Sequence, residues 1–399
     1  MKKFSNILAV LAVLVIVLTA CGPAPTAVVT EPPVVVPPTA VPPTAVPPTA
    51  VPPTAVPFRV GFVTDTAGIA DKSFNQTQWE GILRAQTELG IQGQYAQSTA
   101  ASDYTPNLTT FANENYDLIF ASGIFLANDL GLVATQYPDL KFVINDDAFP
   151  DPAWVAAGNP GYDTCIPNVM GTIFRTDQVA YLAGYLAAGM TTTGKIGFFG
   201  GAKIPTVVIF GVGMQKGIEA YNAAHGTDVK FLGWDTATGE GTFTNNFTDM
   251  TVAQQAATSL FDEGADIVIG VGGMIGSVVF PLAQERHGLG LWVDVDGTVL
   301  FPESKSVILT SIMKNMGNIY YKIIQDAMAG NFEGCSTYIG DLTNNGVQLG
   351  TFGEGITIPA DLLAEIEALK AQFIAGTLTD AGCISAPAGL CPTGLYPAP

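Results

Sequence analysis

The stretch Asp65-Thr66-Ala67-Gly68-Ile69-Ala70-Asp71-Lys72-Ser73-Phe74-Asn75-Gln76 gathers carboxylates, a hydroxyl, amides and an aromatic ring. It follows the short apolar run Phe58–Val63, bounded by Pro57 and Asp65, which reads as a buried strand. It precedes Phe74–Leu89, where Trp79, Ile82, Leu83 and Leu89 form an apolar helix face and Ser73 is available as the cap. At 100° per residue Phe74 projects roughly 120° from the centre of that face. Two readings stay open: contact with something outside the core, or a hydrophobic contact across the loop. Reactive chemistry is poorly provided for. The two histidines, His225 and His287, sit near helix ends among polar neighbours and read as solvated, so a Ser-His-Asp triad or a histidine-rich metal site is not expected. Acids are plentiful, but no pair is singled out for carboxylate-pair hydrolysis.

Several motif-like strings fail on context. Gly189-Met-Thr-Thr-Thr-Gly194-Lys195 has phosphate-loop spacing, yet Ile196 follows where a hydroxyl is needed, and the string precedes a strand. Gly211-Val-Gly213-Met-Gln-Lys216-Gly217 is one residue too long for a dinucleotide fingerprint and lies inside a predicted helix. Asp294-Val-Asp296-Gly297 has its glycine too early for a calcium loop.

The elements that must position these residues alternate. Strands are expected at 58–63, 90–95, 117–121 and 141–145, with helices at 74–89, 104–113 and 127–137. After a Pro-, Gly-, Asp- and Asn-rich run from Asp146 to Asn168, strands are expected at 169–174, 195–199, 229–233, 265–270, 290–293 and 306–310. Helices fall between them at 177–190, 206–223, 249–263 and 275–286, then at 316–328. After Gly330 the chain looks strand-poor, with a helix at 360–372 and a surface tail. The βαβα alternation predicts an α/β fold of two lobes, each a parallel sheet flanked by helices, with a cleft between them. Six expected strand ends are polar or glycine-rich, and in open parallel sheets ligands bind beyond the carboxyl ends of the strands.

Asp71-Lys-Ser-Phe-Asn-Gln76 closely resembles the basic membrane protein family, lipoproteins that include bacterial purine nucleoside receptors. Tyr181-Leu-Ala-Gly-Tyr185, Ile196-Gly-Phe-Phe-Gly-Gly201, Gly272-Gly273, Val293-Asp-Val-Asp296 and Ser311-Ile-Met-Lys314 agree in order. The resemblance spans roughly residues 58–330 and weakens toward the C-terminus. It implies a type I periplasmic binding protein fold in which 58–165 and 297–330 form the N-terminal lobe and 166–296 and 331–399 the C-terminal lobe. It also implies a ligand set. Phe74 and Phe210 stack on the base, Asp294 and Lys314 hold the ribose hydroxyls, and Gly272 and Gly273 bring backbone close to the sugar. Asp71 and Ser73 flank Phe74, while Asn75 and Asp129 read the base edge or its flank. Where the family often carries Asp-Gln, this chain has Asp296-Gly297, which bears on sugar and base specificity. No cofactor and no metal are implied.

Composition narrows the class of protein. The 399 residues carry 35 acidic against 16 basic side chains, a net charge of −19, which argues against nucleic acid or an anionic membrane surface as partner. Lys2 and Lys3 precede an apolar segment from about Ile7 to Leu18 and then Leu18-Thr19-Ala20-Cys21. This reads as a lipoprotein signal peptide over 1–20 with acylation, by palmitate or a similar chain, at Cys21. Pro-Pro-Thr-Ala-Val recurs four times between Pro37 and Val56, so 21–57 reads as a lipid-anchored polyproline spacer, able to reach on the order of 100 Å. Cys165, Cys335, Cys383 and Cys391 are an even set in an exported chain; Cys383 with Cys391 and Cys165 with Cys335 is the expected pairing. With this composition, the resemblance implies a monomeric, non-enzymatic solute-binding protein on the extracytoplasmic face of the cell membrane, working with ABC permease and ATPase subunits on a nucleoside, a purine nucleoside first. A sensor with the same fold, or a binder of a small sugar, is the alternative.

Overall fold

The computed structural model describes residues 56–148, 166–392 and 394–395; the leader, Cys21, the spacer and Cys165 lie outside the described residues. In chain order the strands are β1 (Arg59–Val63), β2 (Gln92–Ala96), β3 (Leu118–Ala121), β4 (Lys141–Asn145), β5 (Val169–Phe174), β6 (Lys195–Gly200) and β7 (Lys230–Leu232). Next come the short pair β8 (Trp234–Asp235) and β9 (Glu240–Gly241), then β10 (Ile267–Val271), β11 (Leu289–Asp294), β12 (Ile308–Lys314), β13 (Ser336–Gly340) and β14 (Val347–Leu349). Two six-stranded sheets result, ordered β13-β5-β4-β3-β1-β2 and β14-β12-β11-β10-β6-β7. All pairings in the first are parallel; in the second only β14 runs antiparallel. The central strands are apolar almost end to end, as sheets covered on both faces require: Leu118-Ile-Phe-Ala121 is wholly buried, and so is Ile267-Val-Ile-Gly-Val271.

The lobe boundaries differ from the expectation in three places. β5 pairs with β4, Phe142 opposite Val169, so it belongs to the first sheet and not the second. The polar run before it therefore separates two neighbouring strands of one sheet and does not mark a lobe boundary. β12 stays in the second sheet beside β11, with only the following helix Met316–Met328 crossing back to pack on Phe74–Leu89. β13, in a stretch that looked strand-poor, completes the edge of the first sheet against β5. It escaped notice because Ser336-Thr-Tyr-Ile-Gly340 is mostly half-buried, so it lacks the continuous apolar run of an interior strand.

The chain thus passes between lobes after Phe174, after Lys314 and after Gly340. Cross-bonds tie the passages together: Arg175 N–H donates to the Gly340 carbonyl at 2.8 Å, and Asn315 N–H to the Gly346 carbonyl at 2.9 Å. A Cβ on Gly346 would lie 2.2 Å from the Gly340 Cα, so glycine is what allows these strands to meet.

Helices pack through glycine as well. The expected apolar face of Phe74–Leu89 holds at Ile82 but not at Leu83, which is 40% exposed. The buried face instead includes Gly81, whose Cβ would fall 2.3 Å from the Gly317 carbonyl oxygen. Gln78 on the same face accepts from the Tyr320 hydroxyl at 2.5 Å and donates to Ser122 Oγ at 2.9 Å, so a polar side chain takes a core position with its bonds made. In the second lobe Thr176–Met190 lies against Pro205–His225. There Gly184 and Gly217 face the carbonyls of Met214 and Tyr181 at 2.2 and 2.0 Å from where a Cβ would stand. Gly217→Ala is expected to force these helices apart and lower unfolding free energy by about 1–3 kcal/mol, read as a lower midpoint in chemical denaturation.

Candidate functional site

The carboxyl ends of β1, β4, β10, β11 and β12 converge on one pocket between the sheets. Asp71 and Phe74 enter from the first lobe, and Phe210, Gly272, Gly273, Asp294 and Lys314 from the second. Seven of the ten expected ligand-set residues therefore share one cavity.

The other three lie behind or away from it. Ser73 does not cap its helix; its hydroxyl donates to Asp294 Oδ2 at 2.5 Å, joining the two lobes. Asp71 takes over the capping role and accepts the backbone N–H groups of Ser73, Asn75 and Gln76 at 3.1, 2.8 and 3.1 Å. Asn75 supports the wall: its amide donates to Asp65 at 2.7 Å and to Asp71 at 3.2 Å. Asp129 is not on the pocket wall. It faces the neighbouring helix Tyr104–Asn113 and accepts from the Thr105 hydroxyl.

At the centre stands Lys314, 3% exposed, with its ammonium 2.8 Å from Asp146 Oδ2 and 3.5 Å from Asp294 Oδ1. Asp146 comes from the first lobe and Asp294 from the second, each just at or past a strand end and each in the left-handed region, at φ 59° and 69°. Aspartate tolerates that conformation better than most residues, at a modest cost that its surroundings must hold in place. The ammonium also lies 4.9 Å from the Phe74 ring centre and 5.7 Å from those of Phe174 and Phe210, within cation–π range. Asp294 Oδ1 receives no hydrogen bond from the described residues, the ion pair to Lys314 being long. A buried acceptor beside a cation is thus available to a hydroxyl-bearing ligand.

Burial sets the protonation. It pushes Asp71 up to about 7 against the three N–H donors, and pushes Asp65 and Asp146 up as well, although Lys314 draws Asp146 down. For Lys314 burial favours the neutral form, but the two carboxylates outweigh it and raise the group above its ordinary value.

Sequence reasoning passed over Asp146, which directly follows β4 and was absorbed into a run read as a lobe boundary. It also passed over Phe125 and Phe247, which meet edge-to-face at 6.4 Å from opposite lobes and line the pocket. Phe247 precedes a helix rather than following a strand, so the strand-end signal does not reach it. Gly123, at φ 95°, is the residue that accommodates the Phe74 ring: its Cβ would stand 3.2 Å from Phe74 Cε1. His225, expected to be solvated, pairs instead with Glu365 at 2.9 Å and stacks on Tyr221. A disulfide joins Cys383 to Cys391; Cys335 is disulfide-bonded too, while Cys165 lies outside the described residues.

Two parallel-sheet lobes, joined by three passages and enclosing a polar and aromatic pocket at their strand ends, define a solute-binding protein of the type I periplasmic class. Solved structures agree: a solute-binding protein of an ABC transporter system from Aeropyrum pernix K1 superimposes with a TM-score of 0.69 at 25% identity, over 80% of this chain and 92% of that one. Another from Conexibacter woesei gives 0.60 at 25% identity, over 80% and 97%. The chain belongs to the Bmp family, described as ABC transporter substrate-binding protein PnrA-like, whose profile matches residues 58–356. That is a family of solute-binding proteins rather than of enzymes. Among its relatives are the CD4+ T-cell-stimulating antigen of Listeria monocytogenes, 30% identical over 80% of this chain and 87% of that one, and the ABC transporter nucleoside-binding protein BmpA of Lactococcus lactis subsp. cremoris, 28% identical over 73% and 81%. Basic membrane protein B of Borreliella burgdorferi is 29% identical over 65% and 71%.

Asp71 gives the fold a defined pH response. The folded chain holds a proton at this carboxyl up to about pH 7, whereas the unfolded chain releases it near an ordinary aspartate value of ~3.9. Folding therefore takes up a proton between those limits, and the stabilisation present at low pH is lost as pH rises through 7. Asp71→Asn should flatten the dependence of unfolding free energy on pH between about 4 and 7, measured by denaturant titration at several pH values.

Proposed function

We propose that this chain is the extracytoplasmic, lipid-anchored component of an ABC importer and that it captures a purine nucleoside by closing its two lobes. The observation that carries this reading is Lys314. One buried ammonium is gripped by a carboxylate from each lobe and faced by Phe74 and Phe210, aromatic rings that also come one from each lobe. Stacking rings suit a flat base, and a carboxylate acceptor beside a cation suits the two hydroxyls of a ribose. The name of the Lactococcus relative, a nucleoside-binding protein, supports the same ligand class. Among the described residues no helix is long and apolar enough to cross a membrane. The proposed anchor is a lipid on Cys21, which follows the apolar segment from about Ile7 to Leu18.

Among the described residues the pocket wall carries Asp65, Asp71, Asp146 and Asp294 against one basic side chain, Lys314, so the ligand is a neutral nucleoside rather than a phosphate-bearing nucleotide. A ligand that binds only the folded state raises its melting point. Inosine and guanosine should do so, with little or no shift from inosine 5′-monophosphate or free ribose. Phe74→Ala and Asp294→Ala should each weaken nucleoside binding by about 1–3 kcal/mol in isothermal titration calorimetry. Wild-type affinity in both variants would overturn the site.

A further inference from the structure

The family match ends at residue 356, but the ordered chain goes on, and its last stretch is built onto both lobes. The helix Ala360–Ile374 lies on Thr176–Met190, with Glu365 accepting from the Tyr185 hydroxyl at 2.7 Å and Phe373 against Tyr181. Beyond it Asp380 pairs with Lys216 at 3.0 Å, and Ala381 is fully buried. Gly382, at φ 124°, backs onto Val212, where a Cβ would stand 2.9 Å from the Val212 carbonyl oxygen. All of these are second-lobe contacts. The Cys383–Cys391 disulfide then turns the chain, and its far end reaches the first lobe. A Cβ on Gly394 would sit 3.1 Å from that of Ala148 and 4.0 Å from Ile173 Cδ1, and the adjoining Leu395 is 1% exposed. Between these anchors Pro392 closes a small cavity whose wall includes Asp146, Phe174, Thr176 and Thr206. Asp146 and Thr206 also line the ligand pocket, so Pro392 stands one layer behind it.

We infer that the segment 380–395 is a positioning element of the binding site: a disulfide-closed brace that holds the lobes at their closed angle and backs Asp146. The inference rests on the interlobe pocket being the solute site. Phe174 and Thr176 flank the first passage between lobes, so Pro392 lies beside a pivot. A contact beside a pivot swings through little distance on opening, and so it sets the angle instead of tethering the lips. Chain ends fray unless tied down, and the Cys383–Cys391 link keeps Pro392, Gly394 and Leu395 within reach of the first lobe at low entropic cost. Removing the brace lowers the fraction of molecules in the binding-competent closed state, and apparent affinity falls in proportion.

The test compares the full chain with Cys383→Ser/Cys391→Ser and, with the disulfide intact, Leu395→Ala. With inosine as probe, the brace requires about tenfold weaker binding in the double variant, mainly through faster dissociation in stopped flow, and a smaller loss in Leu395→Ala. Should the double variant not fold, Leu395→Ala alone decides. Inosine affinity and dissociation rate within twofold of wild type in every folded variant would overturn the brace. If wild type binds no nucleoside, the ligand assignment has failed, and small-angle scattering without ligand decides separately. A larger radius of gyration in the variants supports the brace, and an unchanged one refutes it.

Discussion

The structure depends on a buried lysine held by a carboxylate from each of two lobes. Taking Lys314, Asp146 and Asp294 out of water is costly, and their mutual attraction offsets that cost only when geometry and further bonds are right. Much of what surrounds them supplies those bonds. Ser73 donates to Asp294, and the Phe74, Phe174 and Phe210 rings face the ammonium. Because Asp146 and Asp294 sit on different sheets, the same charges that complete the site also join the lobes. Formation of the pocket and closure of the molecule are therefore one event.

Such an arrangement asks for lobes that move as bodies, and glycine provides them. Gly81 on Gly317 and Gly184 and Gly217 on facing carbonyls bring helix backbones into direct contact, leaving little room for sliding within a lobe. The passages between the sheets are built differently: at the third, Gly340 meets Gly346, and backbone bonds there take the place of packed side chains.

Much of this was legible in the amino-acid sequence, for identifiable reasons. Parallel strands buried on both faces write themselves as short apolar runs, so β1, β3, β4, β6 and β10 to β12 stood out to within a few residues at each end. Phe74, Gly272, Asp294 and Lys314 stood out because strand ends in such folds carry ligands and because the surrounding stretches resembled a family. Three things were hidden. Sheet membership depends on pairing, which leaves no local mark, so β5 and β12 were assigned to the wrong lobes. Half-buried edge strands such as β13 lack the apolar run. Asp129 and Ser73 show that residue type and position do not fix a side chain's partner: one turned to Thr105, the other gave up its expected capping role for a bond across the cleft.

Phe125 and Phe247 meet edge-to-face across the rim of the pocket, Phe125 still 45% exposed to solvent. The two rings come from different lobes, so opening the pocket between the lobes would part them. An aromatic pair of this kind is worth about 1 kcal/mol, close to a fivefold change in population. A contact of that size is weak enough for thermal motion to part it unaided. On the proposed binding function, this one contact would set retention against release within a few multiples of thermal energy.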